Sequence, residues 1–184
     1  MELTFRLELV TSSSGVNVYS AVHKLKNINN YPNYQVGQVE LMNKLWETDK
    51  GRVFNKFKNK MLEYFSKEEI FYLLIPPTER TQFTQPLRES ILHNFPNCID
   101  LTNHFTKQNG VSFGTPPYSE MEINELAEYI TISNDLIFDE NITRVLIADD
   151  TYSQGKTMDV LESILMSCNE NLELKAGTII RTQR

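Results

Sequence analysis

The chain has 184 residues, with 24 acidic residues against 18 Lys and Arg, so its formal net charge is −6. That length suggests a single domain, which can bury roughly 70% of the surface of its unfolded chain. A hydrophobic fraction of 40% and a charged fraction of 23% are typical of a globular protein and exclude a disordered one. The acidic pI near 5.1 argues against nucleic acid as the main partner, but it permits a small phosphorylated ligand bound by backbone amides.

Two features of the sequence bear on where the protein works. The longest apolar run, residues 70–75, is far shorter than the ~20 residues that span a bilayer, and the N-terminus lacks the basic segment of a signal peptide. Cys98 and Cys168 are the only thiols, and neither belongs to a CxxC pair or a Cys/His cluster. A disulfide framework and a structural zinc site are therefore excluded, and we expect a cytoplasmic protein with no membrane partner.

The first sixty-odd residues predict a small α+β cap. Residues 2–10 alternate apolar and polar side chains, which predicts a half-buried strand, and residues 12–15 predict a turn. Apolar residues then recur at helical spacing in two stretches, which predict two helices. These residues are Leu41, Met42, Leu45 and Trp46 in the first stretch, and Phe54, Phe57, Met61 and Phe65 in the second. We therefore expect a cap at residues 1–68 and a core at residues 69–184.

From residue 69 onward, strands and helices alternate. The predicted strands cover residues 70–75, 98–101, 145–148 and 174–180, and the predicted helices cover residues 82–95, 120–130 and 156–168. Because strands alternating with helices of this length pair in parallel, we expect the α/β class with a parallel sheet. Residues 102–118 contain two glycines and a Pro-Pro pair and have no apolar period, so they predict a long lid-like loop.

Residues 145–158 are the most informative about function. A buried strand there delivers Asp149 and Asp150, a short polar loop with Gly155 follows, and a helix then begins. Open α/β sheets bind ligands at the carboxyl ends of their strands, and free N–H groups at a helix start favour a phosphate. Two carboxylates can accept hydrogen bonds from vicinal hydroxyls, so this segment suits a ribose 5-phosphate.

Residues 145–157 resemble the phosphoribosyl pyrophosphate (PRPP) signature of type I phosphoribosyltransferases, which is four apolar residues, two acids, a short variable stretch and a small residue near a hydroxyl. The resemblance implies a parallel-sheet, type I phosphoribosyltransferase-like core. In it, Asp149 and Asp150 would hold the ribose hydroxyls and bind Mg²⁺ directly or through water. The 5-phosphate would be cradled by the residues that follow, namely Thr151, Tyr152, Ser153, Gln154, Gly155, Lys156 and Thr157.

The order of the other segments is similar to that of the same family over residues 70–184. The N-terminal cap and the last strand near the end of the chain are similar to its ComF-type branch. Residues 102–118 stand where the family has a mobile loop, and Lys107, the only Lys or Arg in that stretch, would reach the pyrophosphate. The family's pyrophosphate loop corresponds to Pro76, Pro77, Thr78, Glu79 and Arg80.

The resemblance implies an enzyme that uses PRPP and Mg²⁺ to transfer a phosphoribosyl group to a nitrogen nucleophile, such as a nucleobase, and releases pyrophosphate. One alternative is a non-catalytic protein of the same fold that binds PRPP or a nucleotide, because Ser153 stands where purine-salvage members carry an acid and the predicted lid is poorly basic. Another is an unrelated α/β protein whose strand edge imitates the motif. A P-loop is disfavoured because Asp150 stands where it requires Gly. The sequence identifies neither the acceptor substrate nor the oligomeric state, and a homodimer stays an alternative to a monomer.

Overall fold

The computed structural model describes residues 3–4, 8–11, 17–25, 50–79, 81–152 and 154–181. The predicted turn at residues 12–15 and the predicted helix around residues 41–46 lie outside these ranges, as do Arg80 and Ser153. Within the ranges, none of the helices combines the length and the apolar character that crossing a bilayer requires.

A seven-stranded sheet organises the described chain. Nine strands are described, of which seven form this sheet and two form a separate pair. They are β1 (Leu3–Thr4), β2 (Glu8–Thr11), β3 (Asn17–Leu25), β4 (Tyr72–Leu74), β5 (Ile99–Asp100), β6 (Phe105–Lys107), β7 (Ile130–Ile132), β8 (Arg144–Tyr152) and β9 (Glu173–Arg181). The helices are α1 (Lys50–Met61), α2 (Thr81–Asn94), α3 (Ile123–Ala127) and α4 (Lys156–Cys168).

The order of strands in the main sheet is β1-β3-β9-β8-β4-β5, and β2 also pairs with β3. Strands β3, β9, β8, β4 and β5 pair in parallel, whereas β1 and β2 are antiparallel to β3. Strands β6 and β7 form a separate antiparallel pair. The predicted α/β class with a parallel sheet is confirmed.

The central strands β4 and β8 are buried on both faces. Leu73 and Leu146 belong to one apolar core, which contains residues of α1 and α2. Leu74 and Ile147 belong to a second core, which contains residues of α4 and of the β6–β7 region. Because side chains alternate between the faces of a strand, a continuous apolar run suits a strand covered on both sides. The predicted doubly buried strand is confirmed for its centre, Tyr72–Leu74, whereas the predicted bounds of 70–75 are too wide and Ile70 is exposed.

Two connecting helices cover opposite faces of the sheet. Helix α2 follows β4 and leads to β5, and its Leu87 is buried in the first core. Helix α4 follows β8 and leads to β9, and its Leu161 is buried in the second core. Strands β4 and β8 are parallel neighbours, and their connections lead to opposite sides, from β4 to β5 and from β8 to β9. The sheet therefore has a topological switch point between β4 and β8. Open α/β sheets bind ligands in the crevice outside the carboxyl ends of the strands at such a point.

Strand β3 is not predicted by the sequence pattern. It mixes polar and apolar residues on both faces, and it pairs in parallel with β9, with Val18 opposite Ala176. The side chain of Val18 is fully buried in the second core. Part of the predicted cap thus continues the main sheet, and the division of the chain at residue 68 stays a prediction.

The predicted helix at residues 120–130 is wrong at both ends. Helix α3 begins after Glu122, whose backbone N–H donates to Oε2 of Glu125 at 2.9 Å in a capping box. The β-branched residues Ile130–Ile132 instead form β7, which pairs with β6. The other predicted helices of the core are confirmed to within one residue at each end.

Gly177 of β9 tests the packing of α1 against the sheet. A Cβ at this position would lie 2.8 Å from Cε2 of the buried Phe57 ring, which has little room to move. We expect Gly177→Ala to lower the free energy of unfolding by about 1–3 kcal/mol through overpacking. Urea unfolding followed by circular dichroism measures this change.

The matched control is Gly51→Ala in α1, where a Cβ meets nothing within 4 Å. This change should be neutral or slightly stabilising, because Ala favours a helix more than Gly does. Equal stability of Gly177→Ala and the wild type would contradict the packing of α1 on β9.

Candidate functional site

Strand β8 extends beyond its neighbour β4. The last paired residues of these two strands are Leu74 and Ile147. Strand β8 continues beside β9, with Asp149 opposite Thr178, and ends at Tyr152. The predicted strand end at residue 148 is therefore wrong, because backbone pairing with β9 keeps the polar residues extended. Thr151 and Tyr152 belong to the strand and not to a loop, and the phosphate cradle stays a prediction.

Asp149 and Asp150 are both buried at this strand end, with 8% and 7% of their surfaces exposed. The backbone N–H of Asp150 donates to Oδ1 of Asp149 at 2.7 Å. Oδ2 of Asp150 is buried and has no hydrogen-bond partner among the described residues. An unsatisfied buried acceptor costs about 1–3 kcal/mol, and more when it is charged. Such a group requires an explanation, and a ligand that donates a hydrogen bond or a bound cation would supply one.

Alternation along β8 directs the two carboxylates to opposite faces of the sheet. A ligand that contacts both of them must therefore lie against the edge of β8 beyond Ile147, where the pairing with β4 has ended, toward the carboxyl end of the strand. The start of α4 lies at that same end.

Gly155 forms the turn between β8 and α4, with a φ of 83° in the left-handed region. A Cβ at this position would lie 2.6 Å from Oη of Tyr152. The sequence prediction assigns this glycine to a close approach of the ligand phosphate. In the structure, the atoms nearest to a Cβ at Gly155 belong to Tyr152, so the conformation of the turn and the packing of the Tyr152 ring already require glycine.

Helix α4 begins with Lys156 and Thr157, which belong to the predicted cradle. The N–H groups in the first turn of a helix have no partner within the helix, and they attract anions together with the helix dipole. Nζ of Lys156 donates to the backbone carbonyl of Met121 at 2.6 Å, so this ammonium group is engaged with a distant part of the chain. Gln154 is exposed beside the turn.

A cavity of about 390 Å³ lies beyond the ends of β4 and β5. It is lined by four residues of the predicted pyrophosphate loop and by the predicted lid residue Lys107. The four loop residues are Pro76, Pro77, Thr78 and Glu79. Of the residues that the structure describes, the lining includes none from 149–157. The fold thus brings two of the three predicted site segments together around one cavity and places the third outside its lining.

An ion pair between α2 and β5 fixes one wall of the cavity. Nε of Arg88 donates to Oδ2 of Asp100 at 2.6 Å, and the N–H of Thr102 donates to Oδ1 of Asp100 at 2.9 Å. Oγ1 of Thr102 in turn accepts a hydrogen bond from the N–H of Ile75 at 3.1 Å, where the predicted pyrophosphate loop begins. The sequence does not predict this network, because no local pattern relates a helix residue to the end of the following strand.

The predicted lid is anchored to the core. Phe105, Val111 and Phe113 are buried in the second core, although their spacing follows neither the helix period nor the strand period. Lys107 lies over the Phe113 ring, with Nζ 5.4 Å from the ring centroid. These apolar residues anchor the segment to the core although the sequence shows no apolar period there. We call residues 102–132 the β6–β7 segment.

Neither cysteine is poised as a nucleophile. Burial raises the pKa of the Cys98 thiol to about 11, and the charge of Asp100 adds to the shift. Burial also raises the pKa of the Cys168 thiol. Because the thiolate is the reactive form, both thiols are poor nucleophiles at neutral pH.

No protein-family model matches the chain, and no curated protein matches it. In the described part of the chain, no three side chains of His, Cys, Asp or Glu lie together in a way that could hold a metal ion.

A double-mutant cycle tests the role of Gly155. We expect Gly155→Ala to lower the free energy of unfolding by about 2 kcal/mol or more, because it combines left-handed strain with a clash against Tyr152. Tyr152→Phe removes the nearest clashing atom but leaves the strain. Gly155→Ala should therefore lower the free energy of unfolding less in the Tyr152→Phe background than in the wild type. Additive effects in urea unfolding would show that the two residues do not meet.

Proposed function

We propose that the protein is a type I phosphoribosyltransferase-like enzyme that transfers the phosphoribosyl group of PRPP to a nitrogen nucleophile, with a nucleobase as the expected acceptor class. The observation that carries the proposal is the pair Asp149 and Asp150, both buried at a strand end beside the switch point, with one carboxylate oxygen unsatisfied. The helix start that follows them supplies N–H groups for a phosphate. Acceptors for a diol and donors for a phosphate thus lie at one end of β8.

In this proposal, the carboxylates accept hydrogen bonds from the 2- and 3-hydroxyls of the ribose. The 5-phosphate binds at the start of α4, where Lys156 and Thr157 contribute their backbone N–H groups. Holding the ribose at both ends fixes the direction of its C1 atom, and positioning of this kind can account for much of a rate enhancement.

The residues present suit Mg²⁺. This cation prefers oxygen ligands and commonly binds through one or two carboxylates plus substrate phosphates, so a three-residue protein cluster is not required. Oδ2 of Asp150 is a buried carboxylate oxygen that has no other partner in the described chain. When bound, Mg²⁺ would neutralise charge on the pyrophosphate leaving group.

Departure of pyrophosphate breaks its bond to C1 and leaves an oxocarbenium-like centre, to which the acceptor nitrogen forms the new bond. The leaving group carries negative charge out of the site. The cavity beside Thr78 and Glu79 offers room for it, and Lys107, which also lines this cavity, offers a positive charge. The acceptor loses its proton to a base that the described residues do not identify.

A second candidate is a non-catalytic protein that binds PRPP or a nucleotide through the same residues. It is favoured by the engagement of two cations with other parts of the chain. Arg88 at the cavity is paired with Asp100, and Lys156 is bonded to Met121. Cations held in this way stabilise a leaving pyrophosphate less than free ones would.

Asp150→Asn tests the carboxylate assignment with two measurements. Because the variant removes an unsatisfied buried charge, we expect the ligand-free protein to gain about 1 kcal/mol in free energy of unfolding. By calorimetry, the binding of Mg·PRPP should weaken by about 1.5–3 kcal/mol, the range for hydrogen bonds that involve a charged group.

Asp100→Asn is the matched control, since it changes an aspartate at the end of β5, the strand on the far side of β4, whose carboxylate is satisfied by Arg88 and Thr102. This change should lower the stability, opposite in sign to Asp150→Asn. If Asp150→Asn is less stable than the wild type and binds Mg·PRPP equally well, the assignment of Asp150 is wrong.

Release of pyrophosphate separates the two candidates. The wild-type protein is incubated with Mg·PRPP and a panel of nucleobases, and pyrophosphate is quantified by a coupled assay. The proposal predicts release that depends on one class of base. Tight binding without release from any base would favour the non-catalytic candidate. An absence of binding to PRPP and to ribose 5-phosphate would contradict both.

A further inference from the structure

A side-chain hydrogen bond ties the start of α4 to the β6–β7 segment. Lys156 donates from Nζ to the carbonyl of Met121, which lies between the 3-10 turn Tyr118–Glu120 and helix α3. Helix α3 packs on α4, and its Leu126 is fully buried. The Lys156 contact therefore holds the entry to α3 against the helix start where the 5-phosphate is proposed to bind.

The positive charge of Lys156 lies in the first turn of α4, where the helix dipole does not favour a cation. A cation in the first turn of a helix faces the positive end of the helix dipole. Its partner is a neutral carbonyl, and hydrogen bonds in which both groups are charged are substantially stronger. An anion at the start of α4 would therefore be a better partner for the ammonium than Met121 is.

A second tie holds the same segment to the predicted pyrophosphate loop. Oε1 of Glu79 accepts a hydrogen bond from the N–H of Gly110 at 3.0 Å. The predicted pyrophosphate loop and the start of α4, both of which the proposed function assigns to PRPP, thus each contribute one charged side chain that holds the segment, namely Glu79 and Lys156. Oδ2 of Asp150, in the strand that leads to α4, is buried and has no partner in the described chain, which points to a ligand at the same place.

We propose that Lys156 is a ligand-sensitive latch on the β6–β7 segment. In the ligand-free protein it fastens residues 118–127 to α4, and a phosphorylated ligand at the start of α4 withdraws the ammonium from Met121 and loosens those residues. The inference rests on the proposed phosphate site and adds its regulation, because ligand binding then frees the segment through which an acceptor could enter. By thermodynamic reciprocity, the fastened segment weakens phosphate binding by the same factor.

Amide hydrogen exchange of the full chain tests the latch. In the wild type, saturating ribose 5-phosphate should accelerate exchange of the amides of residues 122–127, the reverse of the usual protection by a ligand. Without ligand, Lys156→Met should accelerate the same amides roughly tenfold, since 1.4 kcal/mol is a factor of ten and lies near the lower end for a hydrogen bond with a charged group. Ribose 5-phosphate should add little further acceleration in this variant.

Lys58→Met in α1 is the control for loss of a lysine far from the segment, and it should leave these amides unchanged. Calorimetry on the same samples separates the two failures. If ribose 5-phosphate binds but slows exchange or leaves it unchanged, the latch is overturned while the proposed function stands. Unchanged exchange in Lys156→Met also overturns the latch. If ribose 5-phosphate does not bind, the proposed function fails and the latch fails with it.

Discussion

The parallel pairing of β4 with β8 is the constraint on which the rest of the structure depends. Because the two strands are neighbours while their following helices cover opposite faces, their carboxyl ends open onto a crevice that neither helix fills. The apolar runs of both strands make the pairing stable, since each is buried on both sides. The polar residues that follow them are the ones that the proposed function assigns to the ligand.

Burial at the end of β8 links stability to function. A carboxylate oxygen without a partner in a buried place destabilises the folded chain, and backbone pairing with β9 holds Asp149 and Asp150 in the strand despite that cost. In the proposed function, a hydroxyl of the ligand or a bound cation would satisfy this oxygen. Lys156 is a second charged group at this place, and its ammonium group at the helix start is bonded to a neutral carbonyl of the β6–β7 segment. Both groups are imperfectly satisfied in the ligand-free protein.

Strong local patterns predict much of this fold. The apolar runs at residues 70–75 and 145–148 predict the two central strands, although not their ends, and the periodic helices at residues 82–95 and 156–168 are confirmed to within one residue, because their burial follows from their own sequence. Strand β3 has no clear alternation, so its pairing with β9 depends on distant residues. Helix α3 and strand β7 share a helical spacing that tertiary pairing overrides. At the site, the sequence locates the two acids, but the ring of Tyr152 over Gly155 and the ties of Glu79 and Lys156 are contacts that no short pattern encodes.

The central claim is that the end of β8 and the start of α4 bind the two ends of one ribose 5-phosphate moiety. A crystal structure of the protein with Mg·PRPP tests this claim most directly. The account predicts ribose hydroxyls at about 2.5–3.0 Å from the carboxylates of Asp149 and Asp150, with the 5-phosphate on the backbone N–H groups of Lys156 and Thr157. Density for PRPP that lies wholly in the cavity between residues 76–79 and 105–109, with both carboxylates untouched, would contradict it.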